Sequence, residues 1–174
     1  GLIDGHHSVS FRAVDPAGNI DPSPVFYEWL VDTKAPVAVL ANLPNAYVNY
    51  QSVNIAVGGL NIVAYRYALD ANSLSNQIDA SIPLAFGSIP EGQHTIKVIG
   101  KSASGVWQTN PTTYTWTVDL TPPETVIISP TQANPPTHST YGTFIFESNE
   151  PNCKFECNMD GGPWTPILGA YSYT

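Results

Sequence analysis

Residues 1–32 return, without a gap, as residues 88–119. Trp29-Leu30-Val31-Asp32 becomes Trp116-Thr117-Val118-Asp119, an offset of 116 − 29 = 87. Eight of the 32 aligned pairs are identical: Gly5/Gly92, His7/His94, Gly18/Gly105, Pro24/Pro111, Tyr27/Tyr114, Trp29/Trp116, Val31/Val118 and Asp32/Asp119. Apolar character also persists at Leu2/Ile89, Val9/Ile96 and Phe11/Val98. Such a repeat constrains the fold more than any local signal, because one supersecondary unit must serve twice in one chain.

The same offset accounts for the rest of the sequence, since 2 × 87 = 174. Thr121-Pro122-Pro123 opens a second period, and Leu84 and Phe86 match Tyr171 and Tyr173. What should follow residue 174 resembles Ser88 onward, and Gly1-Leu2-Ile3-Asp4-Gly5 has that character. The expected organisation is therefore one complete domain, 34–120, flanked by two partial ones. Residues 1–33 supply the last strands of a domain, and 121–174 supply the first. The chain reads as a two-repeat window at an arbitrary phase. It would come either from a long covalent array or from subunits that lend strands head to tail. The covalent array is the simpler source because it needs no special processing.

Within 34–120 the pattern is that of short strands with turn signals every 8–12 residues or so. Val53, Ile55 and Val57 alternate with Asn54 and Ala56, as on a half-buried strand. Gly58-Gly59 and Asp70-Ala71-Asn72-Ser73 mark turns on either side of residues 64–69. Ile82, Leu84 and Phe86 predict another strand, residues 95–99 the next, and Tyr114, Trp116 and Val118 line the last. About seven strands and no helix predict an all-β protein, a tandem of Greek-key β-sandwiches. Residues 1–32 would supply about two strands and 121–174 about four. Neither closes a sandwich, so each should leave an apolar face and an open edge. The residues expected to complement one another between units are Leu2, Val9, Phe11, Tyr27 and Trp29 with Phe144, Phe146, Phe155, Tyr171 and Tyr173.

Six Lys and Arg against 14 Asp and Glu give a net charge of −8. Such a surface repels phosphate backbones and anionic lipid, so neither nucleic acid nor membrane is an expected partner. No apolar run approaches the ~20 residues that a membrane-spanning helix needs. Cys153 and Cys157, four residues apart, would sit about 13 Å from each other on one extended strand, too far for a disulfide. A bend at Asn152-Cys153 would bring them closer, and their state stays open.

The segment Leu2-Ile3-Asp4-Gly5-His6-His7-Ser8-Val9-Ser10-Phe11-Arg12-Ala13-Val14-Asp15-Pro16-Ala17-Gly18-Asn19, with Asp21-Pro22-Ser23-Pro24 and Trp29-Leu30-Val31-Asp32 after it, resembles the bacterial immunoglobulin-like repeats of large surface proteins. Those repeats carry a Gly-His turn, an aromatic strand, an Asp-x-Ala-Gly-Asn hairpin and a Val-Asp-x-x-x-Pro linker. The stretch from Phe155 to Trp164 is similar to the family's central hairpin. The likeness is looser over 34–119, where Ser102-Ala103-Ser104-Gly105-Val106 replaces the Asp-x-Ala-Gly-Asn hairpin. Many relatives pair the hairpin cysteine with a second one downstream. Here Pro166-Ile167 stands in that place and Cys153 lies upstream, a departure from the pattern. The resemblance implies an extracellular or cell-surface stalk, adhesin or fibre whose partners are neighbouring copies of itself. It identifies no ligand.

Chemistry-bearing residues are sparse. Asp15, Asn19 and Asp21 offer hard oxygen ligands for calcium on one short loop, against the plainer role of an Asx-stabilised hairpin around Gly18. Asp32 and Asp119 recur at the linkers and could share an ion there, or cap the linker backbone. His7 and His94 each follow a Gly by two residues with no nucleophile or carboxylate recurring beside both, which fits a hydrogen-bonded turn and not catalysis. Trp107 and Trp164 lie near turns where aromatic rings could stack on sugars, whereas Trp29 and Trp116 fit core packing. No Gly-x-Ser-x-Gly, phosphate loop or His-Glu-x-x-His occurs. The expectation is a non-enzymatic structural repeat with no cofactor. An adhesin module for glycans or surface proteins is the alternative, and an accessory domain of a secreted hydrolase is a more distant one.

Overall fold

The computed structural model describes residues 1–129, 142–168 and 171–173. Among these residues every regular element is a strand, and no helix occurs. The chain forms two units, Gly1–Leu120 and Thr121–Thr174.

The first unit opens with an antiparallel hairpin of β1 (Gly5–Phe11) and β2 (Val25–Val31). Six short strands follow: β3 (Val39–Ala41), β4 (Tyr47–Val48), β5 (Val53–Gly58), β6 (Ile62–Leu69), β7 (Ile78–Asp79) and β8 (Leu84–Phe86). The long pair β9 (Gly92–Ser102) and β10 (Thr112–Val118) completes it. One sheet has the order β3-β5-β8, and the other the order β4-β10-β9-β6-β7. The two sheets share one core, an arrangement consistent with a β-sandwich. Ile55 and Leu84 from the smaller sheet meet Tyr65, Ile96, Val98, Trp116 and Val118 from the larger, all buried. Tyr67 on β6 and Phe86 on β8 add an edge-to-face ring pair at 5.4 Å between the sheets.

The period-two pattern explains these strands. On β9, His94, Ile96, Val98, Gly100 and Ser102 all point inward, and polar Gln93 and Lys97 alternate with them. The Leu69-Asp70-Ala71-Asn72 turn holds Asp70 at φ 56°, and its Asn72 N–H donates to the Leu69 carbonyl at 3.2 Å. Asp and Asn tolerate this left-handed backbone better than other non-glycine residues.

The structure differs from the sequence reading in two places. Residues 39–118 hold eight strands where about seven were expected, because the two-residue β4 and β7 carry too little pattern to be read. The strand expected to include Ile82 starts only at Leu84, and Ile82 is exposed. Pro83 has no N–H to give to a ladder, and the Ile82 carbonyl instead accepts the Tyr65 hydroxyl at 2.6 Å.

The second unit holds β11 (Thr125–Ser129), β12 (Gly142–Ser148), β13 (Phe155–Cys157), β14 (Thr165–Ile167) and β15 (Tyr171–Tyr173). Its sheets are β11-β12-β15 and the hairpin β13-β14.

Candidate assembly site

The β1-β2 hairpin repeats the register of β9-β10 over all seven of its residue pairs. His7 faces Trp29 and Val9 faces Tyr27, as His94 faces Trp116 and Ile96 faces Tyr114. Beyond the strands, the bridge Val14–Ile20 corresponds to Lys101–Trp107. Gly18 N–H donates to Asp15 O at 3.0 Å and Gly105 N–H to Ser102 O at 3.0 Å, with both glycines at φ 90°. The ring contacts match too: His7–Trp29 and His94–Trp116 are both 5.8 Å between centroids.

Their surroundings differ. β9 and β10 lie between β6 and β4 in a five-stranded sheet, whereas β1 and β2 pair only with each other. Val98 is 0% exposed, and Phe11 at the same place is 63% exposed. Tyr27 and Val25, on the same face, are each 68% exposed, while Val9 and Trp29 are half-buried. Leu2 is exposed as well.

The second unit repeats other strands of the first. Its β11-β12-β15 sheet repeats β3-β5-β8: Ile127 faces Phe146 as Leu40 faces Val57, and Phe144 faces Tyr171 as Ile55 faces Leu84. Hairpin β13-β14 repeats β6-β7, with Phe155 opposite Ile167 as Tyr65 is opposite Ile78. Among the described residues nothing corresponds to β9 and β10. Between the sheets lies an open groove of about 490 Å³ lined by Ile127, Phe144, Phe146, Phe155, Met159, Trp164 and Ile167, among others. Phe146 and Phe155 touch across it at 4.8 Å between centroids. Of the complementation residues, Phe144, Phe146 and Phe155 therefore share one groove. Val9, Phe11, Tyr27 and Trp29 share one hairpin face. Tyr171 and Tyr173 fall on β15, and their side chains lie outside the described residues.

In the complete sandwich an ionic lock fixes β9 to the β6-β7 side. His94 Nδ1 lies 2.9 Å from Asp70 Oδ2, and its Nε2 lies 2.9 Å from the Pro90 carbonyl. Asp70 also accepts the Thr95 N–H at 2.7 Å. Burial disfavours the charged His94 ring, but Asp70 and the Pro90 carbonyl outweigh it and raise the pKa. Burial likewise opposes ionisation of Asp70, but the Thr95 N–H and His94 hold its pKa below the usual carboxylate value. His7 reproduces half of this lock. Its Nε2 lies 2.7 Å from the Ile3 carbonyl, and among the described residues its Nδ1 has no partner. Sequence reading missed the lock because Asp70 and His94 are 24 residues apart.

Of the calcium candidates, Asp15, Asp21 and Asp32 are engaged by their own loops. Asp15 accepts the Asn19 backbone N–H at 2.8 Å and its amide at 2.7 Å, and these bonds lower its pKa. Asp21 accepts the Ser23 N–H at 2.8 Å, and Asp32 the Lys34 N–H at 3.2 Å. The Asp119 backbone N–H donates to Val48 O at 2.9 Å. Among the described residues no three His, Cys, Asp or Glu side chains cluster as a metal site would require. Trp107 is half-buried, with Arg66 at 4.6 Å and Lys101 at 5.5 Å from its ring centroid. Trp164 is 66% exposed at the groove. Both cysteines are free thiols: Cys153 Sγ accepts the Ser148 hydroxyl at 3.3 Å, and Cys157 lies 3.7 Å from Thr165 Oγ1.

No family model matches the chain, and no curated protein sequence does either.

Proposed function

We propose that this chain is a structural repeat unit of an extracellular filament, stalk or matrix fibre. Its domains are immunoglobulin-like sandwiches joined head to tail, and one domain in two is shared between units. Residues 121–174 of one unit provide its first strands and residues 1–33 of the next its last. The observation that supports this is the internal repeat of the structure: β1-β2 keeps the register of β9-β10, and β11-β12-β15 keeps the strand order of β3-β5-β8. Burying an exposed Val, Leu or Phe side chain is worth roughly 1.5–3 kcal/mol, so several such residues give a strong drive to close the core. The unit's role is then reach and cohesion. Ladders carry load along the strands, and the prolines at Pro36 and Pro123 limit bending at the linkers. Extracellular placement rests on the family resemblance, and the non-enzymatic reading rests on the lack of catalytic motifs in the sequence.

The test is to join residues 121–174 directly to 1–32 in one polypeptide. A monomeric β-rich protein with a cooperative melt is expected. A disordered or aggregating product would refute the shared core. The adhesin alternative has one observation in its favour, the exposed Trp164. Retention on a glycan array that Trp164→Ala abolishes would favour it.

A further inference from the structure

The outward face of the larger sheet gathers half of the chain's cations. Six Lys and Arg stand against 14 Asp and Glu, yet Arg66, Lys97 and Lys101 lie together here. On β9, Lys97, Ile99 and Lys101 alternate with the inward Val98 and Gly100, and Arg66 on β6 is opposite Ile99. Trp107, beyond β9, draws two of them together: Arg66 Cζ lies 4.6 Å and Lys101 Nζ 5.5 Å from its ring centroid. Among the described residues none of the three cations has an ion-pair partner. Lys101 donates to the neutral Gln77 side-chain oxygen at 3.1 Å, and the buried Arg66 Nε has no hydrogen-bond partner among the described residues. Asp79 is the one acid in these five strands, and its carboxylate accepts the Ser81 N–H at 2.8 Å and the Ser81 hydroxyl at 2.6 Å.

The fold does not require this cluster. β1-β2 has the same register and the same bridge beyond it, but it carries Ser10, Val14 and Ile20 at the positions of Lys97, Lys101 and Trp107. In the second unit Glu156 follows Phe155 as Arg66 follows Tyr65, so the charge there is reversed. Clustered like charges without a counter-charge repel one another, and a repeat that dispenses with them points to a ligand. We propose that this face binds an acidic polysaccharide, a glycan whose sugars carry carboxylates. The Arg66 fork and the Lys97 and Lys101 ammonium groups receive the carboxylates. Thr113 and Thr115, exposed on β10, offer hydroxyls that donate and accept, as sugar hydroxyls require. Trp107 is a positioning residue: its ring holds the cations and is not a platform for sugars. Lys97 and Lys101 are four residues apart, about 13 Å along the strand. That spacing suits carboxylates separated by sugar rings and not duplex phosphates, one every ~1.7 Å. The site lies within the complete domain and stands whether or not 121–174 and 1–33 share a core.

The experiment is affinity electrophoresis of the full chain through gels holding polygalacturonate, neutral dextran, single-stranded DNA or poly-glutamate. Polygalacturonate should retard the chain, less so as salt rises, and dextran should not. Lys97→Ser, Lys101→Val and Trp107→Ile place on β9 and its loop the residues that the β1-β2 hairpin carries. The combined variant should therefore keep its melting temperature while binding about 10-fold or more weakly, through lost charge-assisted contacts. Lys97→Ser alone, at an exposed position, should weaken binding about twofold to fivefold, and it tests the site even where the combined variant unfolds. Trp107→Ile alone should weaken binding, and Trp107→Tyr should restore it, because a phenol ring still attracts the cations. The site is overturned by an absence of polygalacturonate retardation at low salt, or by retardation that the single and combined substitutions leave untouched. Dextran, DNA or poly-glutamate retarding the chain as strongly as polygalacturonate overturns it as well.

Discussion

His94 and Asp70 form a pair whose ionisation is coupled to folding of the complete sandwich. The raised His94 pKa means that its contribution is fully present below the ordinary value of 6.5 and is lost as pH rises through the folded value. The lowered Asp70 pKa means that its contribution is present above 3.8 and is lost as pH falls through the folded value. The pair is therefore worth most between about pH 4 and pH 6.5. The melting temperature of the complete domain should decline from pH 6 to pH 8, and Asp70→Asn should flatten that decline while lowering stability by about 1–3 kcal/mol at pH 6. An unchanged slope in Asp70→Asn would show that other groups set it. The sequence made His94 legible only as a hydrogen-bonded residue. Its acidic partner lies in the turn that follows β6, and nothing local in Asp70-Ala71-Asn72 distinguishes a lock from a turn. Gly100 was similarly silent, since its requirement comes from Ile62 across the sheet.

At the level of elements, the two hairpins form an internal experiment. Trp116 is 1% exposed and packs on both sheets. Trp29 has the same backbone, the same histidine beside it and the same stacked tyrosine, at 6.1 Å against 6.2 Å. Trp116→Ala should cost the complete domain about 3–5 kcal/mol. Trp29→Ala should leave that domain's chemical denaturation midpoint unchanged and instead destabilise the polypeptide that joins 121–174 to 1–32. Equal losses of domain stability from both substitutions would mean that β1-β2 is part of the complete domain's core. The hairpins were legible because their signal is local: alternation, a Gly-centred turn and a repeated Trp. Strands β4 and β7 were not, because they are two residues long and their pairing is set by distant partners. Pro83 was visible in the sequence and should have excluded Ile82 from its strand.

On the scale of the whole molecule, the two groups of strands should melt differently. Residues 34–120 carry their own buried cluster, so their unfolding is a first-order event whose midpoint does not depend on protein concentration. The groove of 121–174 is open to solvent, and a free peptide of residues 1–32 that seats in it would stabilise those strands by mass action. Calorimetry should therefore resolve two transitions. One should stay fixed as the peptide is added, and the other should move upward by several degrees over a hundredfold range of peptide concentration. A peptide that leaves both transitions in place would contradict a hydrophobic core made of 121–174 with 1–32.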